Sequence, residues 1–170
     1  LLAPRLGHGT RKEPSLLMTE YTIREATQED LLDVIIAAKN FSKEACQKSW
    51  AKFDSNKTNS LFKQLVDSEY GFVYIALHND EVVGGLVSMI TEMPINNYMV
   101  AQELMLWIDP EHRNGKTAPK LIDKYVEWAK EKDCSFVRLS EIDNVLNSKA
   151  GVLFKRKGFE PIETAYVKEI

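Results

Sequence analysis

Residues 113–121 read Arg113-Asn114-Gly115-Lys116-Thr117-Ala118-Pro119-Lys120-Leu121. They follow an apolar run that ends at residues 107–110 with Trp-Ile-Asp-Pro, and they open an amphipathic helix. A strand, a short glycine-containing turn and a helix start together present free backbone N–H groups and the positive end of a helix dipole. Such an arrangement binds anions, most often phosphate. Two families of phosphate-binding proteins contain a stretch of this kind, and the spacing of their glycines distinguishes them.

The segment Gly115-Lys116-Thr117 matches the end of a P-loop, the nucleotide-binding turn with the motif G-x-x-x-x-G-K-[ST]. That motif requires a second glycine five residues before the Gly-Lys pair. The residue there is Pro110, which has no backbone N–H and cannot adopt a positive φ. The sequence therefore excludes a P-loop.

Residues 103–113 instead resemble the fourth strand and the pyrophosphate loop of the GCN5-related N-acetyltransferase (GNAT) superfamily, whose members bind acetyl-CoA. The family pattern is a strand with a valine-like end, then x-Pro-x-x-Arg/Gln, then x-x-Gly-x-Gly/Ala. Arg113 fills the Arg/Gln position and Ala118 fills the final small position. The penultimate glycine falls on Lys116, with Gly115 one place earlier. This departure weakens the motif, since a lysine tolerates the close approach of a pyrophosphate less well than a glycine.

A second segment, residues 147–160, resembles the C-terminal signature of the same family: Asn-x-x-Ala, an aromatic residue, then x-x-x-Gly-Phe. Helical spacing places Ala150, Leu153, Phe154 and Lys157 on one face, and Gly158 is the expected residue at which the helix ends. An ordinary amphipathic helix with a glycine stop would explain this segment alone. It would not explain both signatures in the family's order, so the resemblance extends over residues 21–170.

The resemblance implies a single domain with the acyl-CoA N-acyltransferase fold, of mixed α/β class. Its central mixed sheet has about six to seven strands flanked by helices, and its fourth and fifth strands splay apart. Hydrophobic periodicity places the elements in that order. The pattern predicts strands at 21–25, 71–78, 81–90, 100–108, 135–140 and 165–170, and helices at 27–40 and 59–68, from 118, and from 147. Asn79-Asp80 is the predicted hairpin turn.

We expect residues 18–170 to form the N-acetyltransferase domain. Residues 1–17 show no periodicity and contain several glycine and proline residues. Met18 then reads like a native start that runs into the first strand. We therefore expect residues 1–17 to be a cloning-derived or upstream segment, or a disordered tail.

Composition favours a compact cytoplasmic enzyme. The chain has 170 residues, of which 44% are hydrophobic, enough for one sizeable core. Its net charge of −3 argues against nucleic-acid binding, and no apolar stretch is long enough to cross a membrane. The two cysteines are too few for a disulfide framework, which fits a reducing, cytoplasmic compartment.

The resemblance implies that acetyl-CoA binds as a co-substrate and that no metal takes part. In the family the pantetheine arm inserts between the splayed strands and hydrogen-bonds to the fourth strand like an additional strand. The pyrophosphate lies on the N–H groups of the loop and helix start. Asn147 matches the family's asparagine that contacts the pantetheine arm, and it is equally suited to cap a helix. The implied cofactor-binding residues are Leu106, Trp107, Ile108, Arg113, Asn114, Gly115, Lys116, Thr117, Ala118 and Asn147.

The implied reaction is direct attack of a primary amine on the acetyl thioester in a ternary complex. An alkylamine has a pKa near ~10.4, so a base that removes its proton would help. Glu103 is the candidate, because related enzymes often place a glutamate on the fourth strand and a carboxylate in an apolar strand needs a reason to be there. The alternative is that Glu103 faces solvent or pairs with a cation. Glu92 and Glu141 are reserve candidates.

The sequence has no tyrosine at the family's general-acid position. Family members often carry a tyrosine that protonates the departing thiolate, and the matching residue here is Phe154, which has no proton to give. Thiolate is a good leaving group, so transfer without an acid remains chemically reasonable; Tyr98 and Tyr166 are possible substitutes. The sequence therefore leaves two hypotheses: an N-acetyltransferase, or a catalytically weak CoA-binding or protein-interaction module with the same fold.

The acceptor amine is expected to be set by loops at residues 41–59, 93–98 and 141–146. The last two are rich in Asn, Glu and Asp, which would suit a cationic amine: a small polyamine-like or aminoglycoside-like molecule, or a protein amine. The apolar tip at Met93-Pro94-Ile95 could equally be a dimer contact, and a homodimer is usual in the family.

Overall fold

The strands of the chain form one sheet, and helices pack on both of its faces. The computed structural model describes residues 21–45, 52–142, 149–168 and 170. The predicted tail at 1–17 lies outside these residues. The elements are β1 (Thr22–Glu25), α1 (Leu31–Ala45), α2 (Ser55–Val66), β2 (Gly71–His78), β3 (Glu81–Glu92), β4 (Met99–Ile108), α3 (Thr117–Glu131), β5 (Phe136–Arg138) and α4 (Ala150–Arg156).

Thr27 caps the chain as the sequence predicts, but a 3₁₀ turn over Gln28–Asp30 precedes α1, which begins at Leu31. The Asp30 carboxylate accepts hydrogen bonds from the Thr27 backbone N–H at 2.7 Å and from the Thr27 hydroxyl at 3.0 Å, which fixes the entry of the chain into α1. The predicted end at residue 40 was wrong, because α1 continues to Ala45. Its apolar spacing also continues, since Phe41 packs against the core and Ala45 is buried.

The predicted hairpin is confirmed. Asn79 and Asp80 both have positive φ, 52° and 65°, between β2 and β3. Two consecutive positive φ values form the turn whose twist matches that of paired strands, and Asn and Asp tolerate this conformation better than most residues.

The sheet has the strand order β1-β2-β3-β4-β5. The pairs are antiparallel except β4–β5, which is parallel. One hydrophobic cluster lies between the sheet and α1 and α2, and it includes Val34 and Trp107. The other lies between the sheet and α3 and α4, and it includes Tyr125 and Phe154.

A β-bulge interrupts the pairing of β3 with β4. Val87 pairs with Met105 while the next residue, Ser88, pairs with Glu103, so Leu104 is an extra residue in β4. Because side chains alternate between the two faces of a strand, one extra residue exchanges the faces for everything beyond it. Trp107 therefore packs on the α1/α2 side although Ala101, six residues earlier, packs on the α3 side.

The sheet has five strands in the described residues, fewer than the six to seven expected. The predicted strand at 135–140 is confirmed only over Phe136–Arg138. The strand predicted at 165–170 does not form in the described part of that segment, where Tyr166 is 94% exposed. Its apolar side chains do not reach the core, so pairing there would not be supported by burial.

The predicted loop at 41–59 is also largely wrong, because α1 and α2 occupy most of its described part. Asp54 explains the start of α2: its carboxylate accepts from the N–H groups of Asn56 and Lys57 at 2.9 and 3.0 Å. The polar residue Asp54 therefore caps a helix and does not mark a loop.

Replacing Gly85 with alanine tests the packing of the fourth strand on the third. A Cβ added to Gly85 would lie 2.7 and 2.8 Å from Cζ3 and Cζ2 of Trp107. We expect Gly85→Ala to lower the free energy of unfolding by about 1–3 kcal/mol through overpacking, measured by urea denaturation. The same substitution in a Trp107→Leu background should cost less, because the clashing ring is gone. An equal loss of stability in both backgrounds would contradict a contact between residue 85 and the Trp107 ring.

Candidate functional site

The parallel strands β4 and β5, the last pair in the strand order, separate after three paired residues. Their pairing begins at Val100 and Phe136 and ends at Gln102 and Arg138, whereas β4 continues to Ile108. In the part of the chain that the structure describes, no strand pairs with residues 103–108 on the β5 side. The predicted splaying of the fourth and fifth strands is thus confirmed. It leaves the backbone of β4 open along one edge, where an extended ligand can pair like a strand.

Glu103 is the first residue of β4 beyond this fork. Its side chain is buried, with 9% of the residue exposed, and its carboxylate accepts a hydrogen bond from the Ser140 N–H at 3.1 Å. Burial raises the pKa of Glu103 to about 7, while the contacts with Ser140 act in the opposite direction. A carboxylate that exchanges its proton near neutral pH is suited to general acid–base chemistry. The alternative of an exposed or ion-paired Glu103 does not fit this position.

The loop from Asp109 to Lys116 connects β4 to α3. Arg113 holds it by three hydrogen bonds: its Nε donates to the Ile108 carbonyl oxygen at 2.9 Å, and its two terminal nitrogens donate to the Glu44 carboxylate at 2.8 and 2.6 Å. A guanidinium and a carboxylate joined in this two-point geometry form a directional pair. Arg113 thus ties the end of α1 to the end of β4, and these donors are not free for a phosphate.

The start of α3 is capped by Asn114. Its side-chain oxygen accepts from the N–H groups of Lys116 and Thr117 at 2.9 and 3.3 Å, and from the Thr117 hydroxyl at 3.3 Å. A polar oxygen thus stands at the helix N-terminus, where a phosphate oxygen would be stabilised.

Gly115 is the residue that the turn requires. Its φ is +76°, although a side chain there would meet no atom within 4 Å, so the need for glycine is conformational rather than spatial. Lys116 has φ −109° and ψ −32°, which any residue can adopt. The sequence therefore carries its glycine one place early because the loop turns there. Ala118 packs against the core on the α3 side.

The three β4 residues expected to contact pantetheine have different environments. Leu106 packs on the α3 side, and Trp107 is buried on the α1/α2 side with 1% exposed. The carbonyl oxygen of Ile108 already accepts from Arg113. The indole ring of Trp107 thus belongs to the core, so a ligand could contact only the backbone of this residue.

The reserve candidates lie elsewhere. Glu92 is exposed at the end of β3. The Glu141 carboxylate accepts from the Gly151 N–H at 2.9 Å and so holds the first turn of α4. Asn147 lies outside the described residues.

Phe154, at the family's tyrosine position, and Tyr98, a candidate substitute, both pack against other aromatic rings. Phe154 is buried and packs against Phe159. Tyr98 is half-exposed and packs edge-on against Phe136. Gly158 ends α4 with φ +86°, as the sequence predicts.

Sequence reasoning did not find Ser140, Glu44 or the capping role of Asn114. The apolar spacing that extends α1 to Ala45 could have placed Glu44 on a helix end. Nothing local marks Ser140, because its contact with Glu103 joins residues 37 positions apart.

The described residues hold no group of three or more His, Cys, Asp or Glu side chains that could bind a metal ion. Among the same residues, no helix combines the length and apolar character needed to cross a membrane.

A model of the acetyltransferase (GNAT) family matches residues 36–159 of the chain. A comparison with curated protein sequences finds no match.

Solved structures share the fold at low sequence identity. A GCN5-related N-acetyltransferase from Ralstonia eutropha JMP134 has a TM-score of 0.70 at 18% identity, with 89% of this chain and 99% of that chain covered. A predicted acetyltransferase with acetyl-CoA from Clostridium acetobutylicum has a TM-score of 0.71 at 16% identity, covering 88% and 96%. A ribosomal-protein-alanine N-acetyltransferase from Brucella melitensis biovar Abortus 2308 has a TM-score of 0.68 at 15% identity, covering 88% and 99%.

The buried carboxyl of Glu103 should make stability depend on pH. Its pKa rises from 4.5 to about 7 on folding, so the folded protein binds more protons than the unfolded chain between these values. The free energy of unfolding therefore falls as pH rises through that window, by on the order of 3 kcal/mol from this group. Glu103→Gln keeps an acceptor for Ser140 but does not ionise.

Urea denaturation of the parent protein and of Glu103→Gln from pH 4 to pH 8 measures this pH dependence of stability. We expect Glu103→Gln to gain stability relative to the parent as pH rises, with most of the gain between about pH 4.5 and pH 7. A difference that stays constant with pH would mean that Glu103 ionises at the same pKa in both states.

Proposed function

We propose that this chain, which belongs to the acetyltransferase (GNAT) family, transfers an acetyl group from acetyl-CoA to a primary amine. The observation that carries the proposal is the position of Glu103: a buried carboxyl with a pKa near 7 at the fork where β4 and β5 separate. An open strand edge and a buried base at its first residue together suit the binding of an extended ligand beside a proton acceptor.

Acetyl-CoA fits the features around the fork. The edge of β4 beyond Gln102 offers backbone groups to the amides of a pantetheine arm, with Leu106, Trp107 and Ile108 as the contacts. The loop and helix start offer the N–H groups of residues 114–118 to a pyrophosphate. The Asn114 side-chain oxygen now accepts two of those N–H groups, so pyrophosphate binding would displace it. Lys116 and Lys120 add positive charge at the same helix start.

The reaction follows from the position of Glu103. The amine nitrogen forms a bond to the acetyl carbon, and the carbon–sulfur bond breaks with its electron pair leaving on sulfur. The proton lost by the amine passes to the ionised Glu103 carboxylate, directly or through water. Phe154 has no proton to offer the departing thiolate, so that proton comes from water or from Glu103. Binding of acetyl-CoA without transfer would favour a CoA-binding module instead.

We assign Arg113 to holding the loop rather than to contacting phosphate, since its donors are used by Glu44 and Ile108. Glu44→Gln and Arg113→Lys both break the two-point pair, and both keep a positive charge at residue 113. We expect each variant to weaken acetyl-CoA binding roughly five-fold, or about 1 kcal/mol, in calorimetric titrations. Lys63→Gln, an exposed change on α2, serves as a control. Unchanged binding in Arg113→Lys with loss in Arg113→Gln would show that the charge itself acts.

The proposed base predicts a pH profile for acetyl transfer. With an amine panel covering polyamines, aminoglycosides and lysine peptides, kcat/KM should rise with pH through an acidic limb near 7, as Glu103 ionises. Glu103→Gln should lose this limb and about 10²–10⁴-fold in rate at neutral pH, the usual contribution of a general base. Release of free thiol reports the reaction. Binding of acetyl-CoA with no transfer to any amine would contradict the enzyme proposal.

A further inference from the structure

Ser88 carries a buried hydroxyl that lacks a hydrogen-bond partner. The residue is fully buried in β3, and its Oγ makes no hydrogen bond within the described part of the chain. An unpartnered buried hydroxyl costs about 1–3 kcal/mol, so most buried polar groups are paired. The neighbours of Ser88 account for a hydroxyl at this position.

Ser88 lies directly opposite Glu103 in the β3–β4 pairing, at the bulge. Directly opposed residues point to the same face of a sheet, with Cβ atoms about 4.5–5.5 Å apart. Tyr125, fully buried on α3, covers this part of the face. Burial raises the pKa of Tyr125, a contact with the Ser88 hydroxyl lowers it and the Glu103 charge raises it, so the three groups are neighbours.

The hydroxyl of Tyr125 is already committed, because it donates to the Arg138 carbonyl oxygen at 3.2 Å. Ser140 already donates its N–H to Glu103. Cys134 also faces Tyr125, and the Arg138 guanidinium is directed to Glu163 at the surface. Ser88 is thus a buried hydroxyl opposite Glu103 that lies beside the Tyr125 hydroxyl but makes no hydrogen bond of good geometry within the described residues.

We propose that Ser88 is a positioning residue for Glu103: its hydroxyl donates to the ionised carboxylate, through a change of rotamer or one bridging water. This inference rests on the proposed role of Glu103 as the base. A hydroxyl suits both states of the carboxyl, since it donates to the ionised form and accepts from the protonated form. The bond to the charged form is the stronger one, so the hydroxyl favours ionisation and keeps the base available near neutral pH.

The test measures Glu103 directly. Protein labelled with ¹³C at glutamate carboxyl groups is titrated by NMR without ligand, and Glu103→Gln identifies the Glu103 resonance. We expect Ser88→Ala to raise the pKa of Glu103 by about one unit, the loss of one hydrogen bond to a charged group. Ser88→Cys has a side chain of similar size that is a weak donor, so its Glu103 pKa should lie between those of the parent protein and Ser88→Ala. Tyr125→Phe is the control: it removes the neighbouring hydroxyl, which donates to the Arg138 carbonyl oxygen and contacts Ser88, but it leaves the Ser88 hydroxyl in place.

The outcomes separate this inference from the proposed function. A Glu103 titration that is unchanged in both Ser88 variants overturns the role of Ser88, whether or not the protein transfers acetyl groups. An equal shift in Tyr125→Phe also overturns it, since any loss of polarity would then suffice. A shift confined to the Ser88 variants, matched by an equal shift of the acidic limb of kcat/KM, supports it. A shift with no transfer to any amine supports the Ser88 contact and contradicts the proposed function.

Discussion

One extra residue in the fourth strand determines on which face of the sheet Glu103 lies. Leu104 forms a bulge against β3, so side chains before and after it face opposite sides of the sheet. Without the bulge, Glu103 and Trp107 would lie on the same face. With it, the indole completes the core under α1 and α2 while the carboxylate points towards α3. The pairing with β5 ends one residue before Glu103, so the fork and the carboxylate coincide.

The loop that follows β4 depends on contacts between distant elements. Arg113 joins the end of α1 to the end of β4, and Asn114 satisfies the first N–H groups of α3. The sequence predicts both as cofactor-binding residues, Asn114 through its backbone N–H. In the structure they organise the loop, and the groups left to meet an anion are mainly backbone N–H groups. A site built from backbone tolerates side-chain change, which fits the lysine found where the family has a glycine.

Local patterns predicted local structure well. The Asn79-Asp80 turn, the Thr27 cap that precedes α1 and the end of α4 at Gly158 each depend on residues that are neighbours in sequence. The family signatures predicted the splayed strands because they encode a fold as a whole. Features that depend on distant contacts were missed: the Ser140 bond to Glu103, the pairing of Arg113 with Glu44, and the absence of a sixth strand from the residues that the structure describes. The raised pKa of Glu103 results from burial, which the spacing of residues in the sequence does not reveal.

A crystal structure of the chain with CoA would test the central claim most directly, namely that the fork between β4 and β5 is the binding site. We expect the pantetheine amides to hydrogen-bond to the backbone of residues 106–108, and the Asn114 side chain to leave the N–H groups of Lys116 and Thr117 to the pyrophosphate. The thiol end should then lie at the fork beside Glu103. CoA bound on another surface, with the Asn114 cap intact and the fork closed, would contradict the claim.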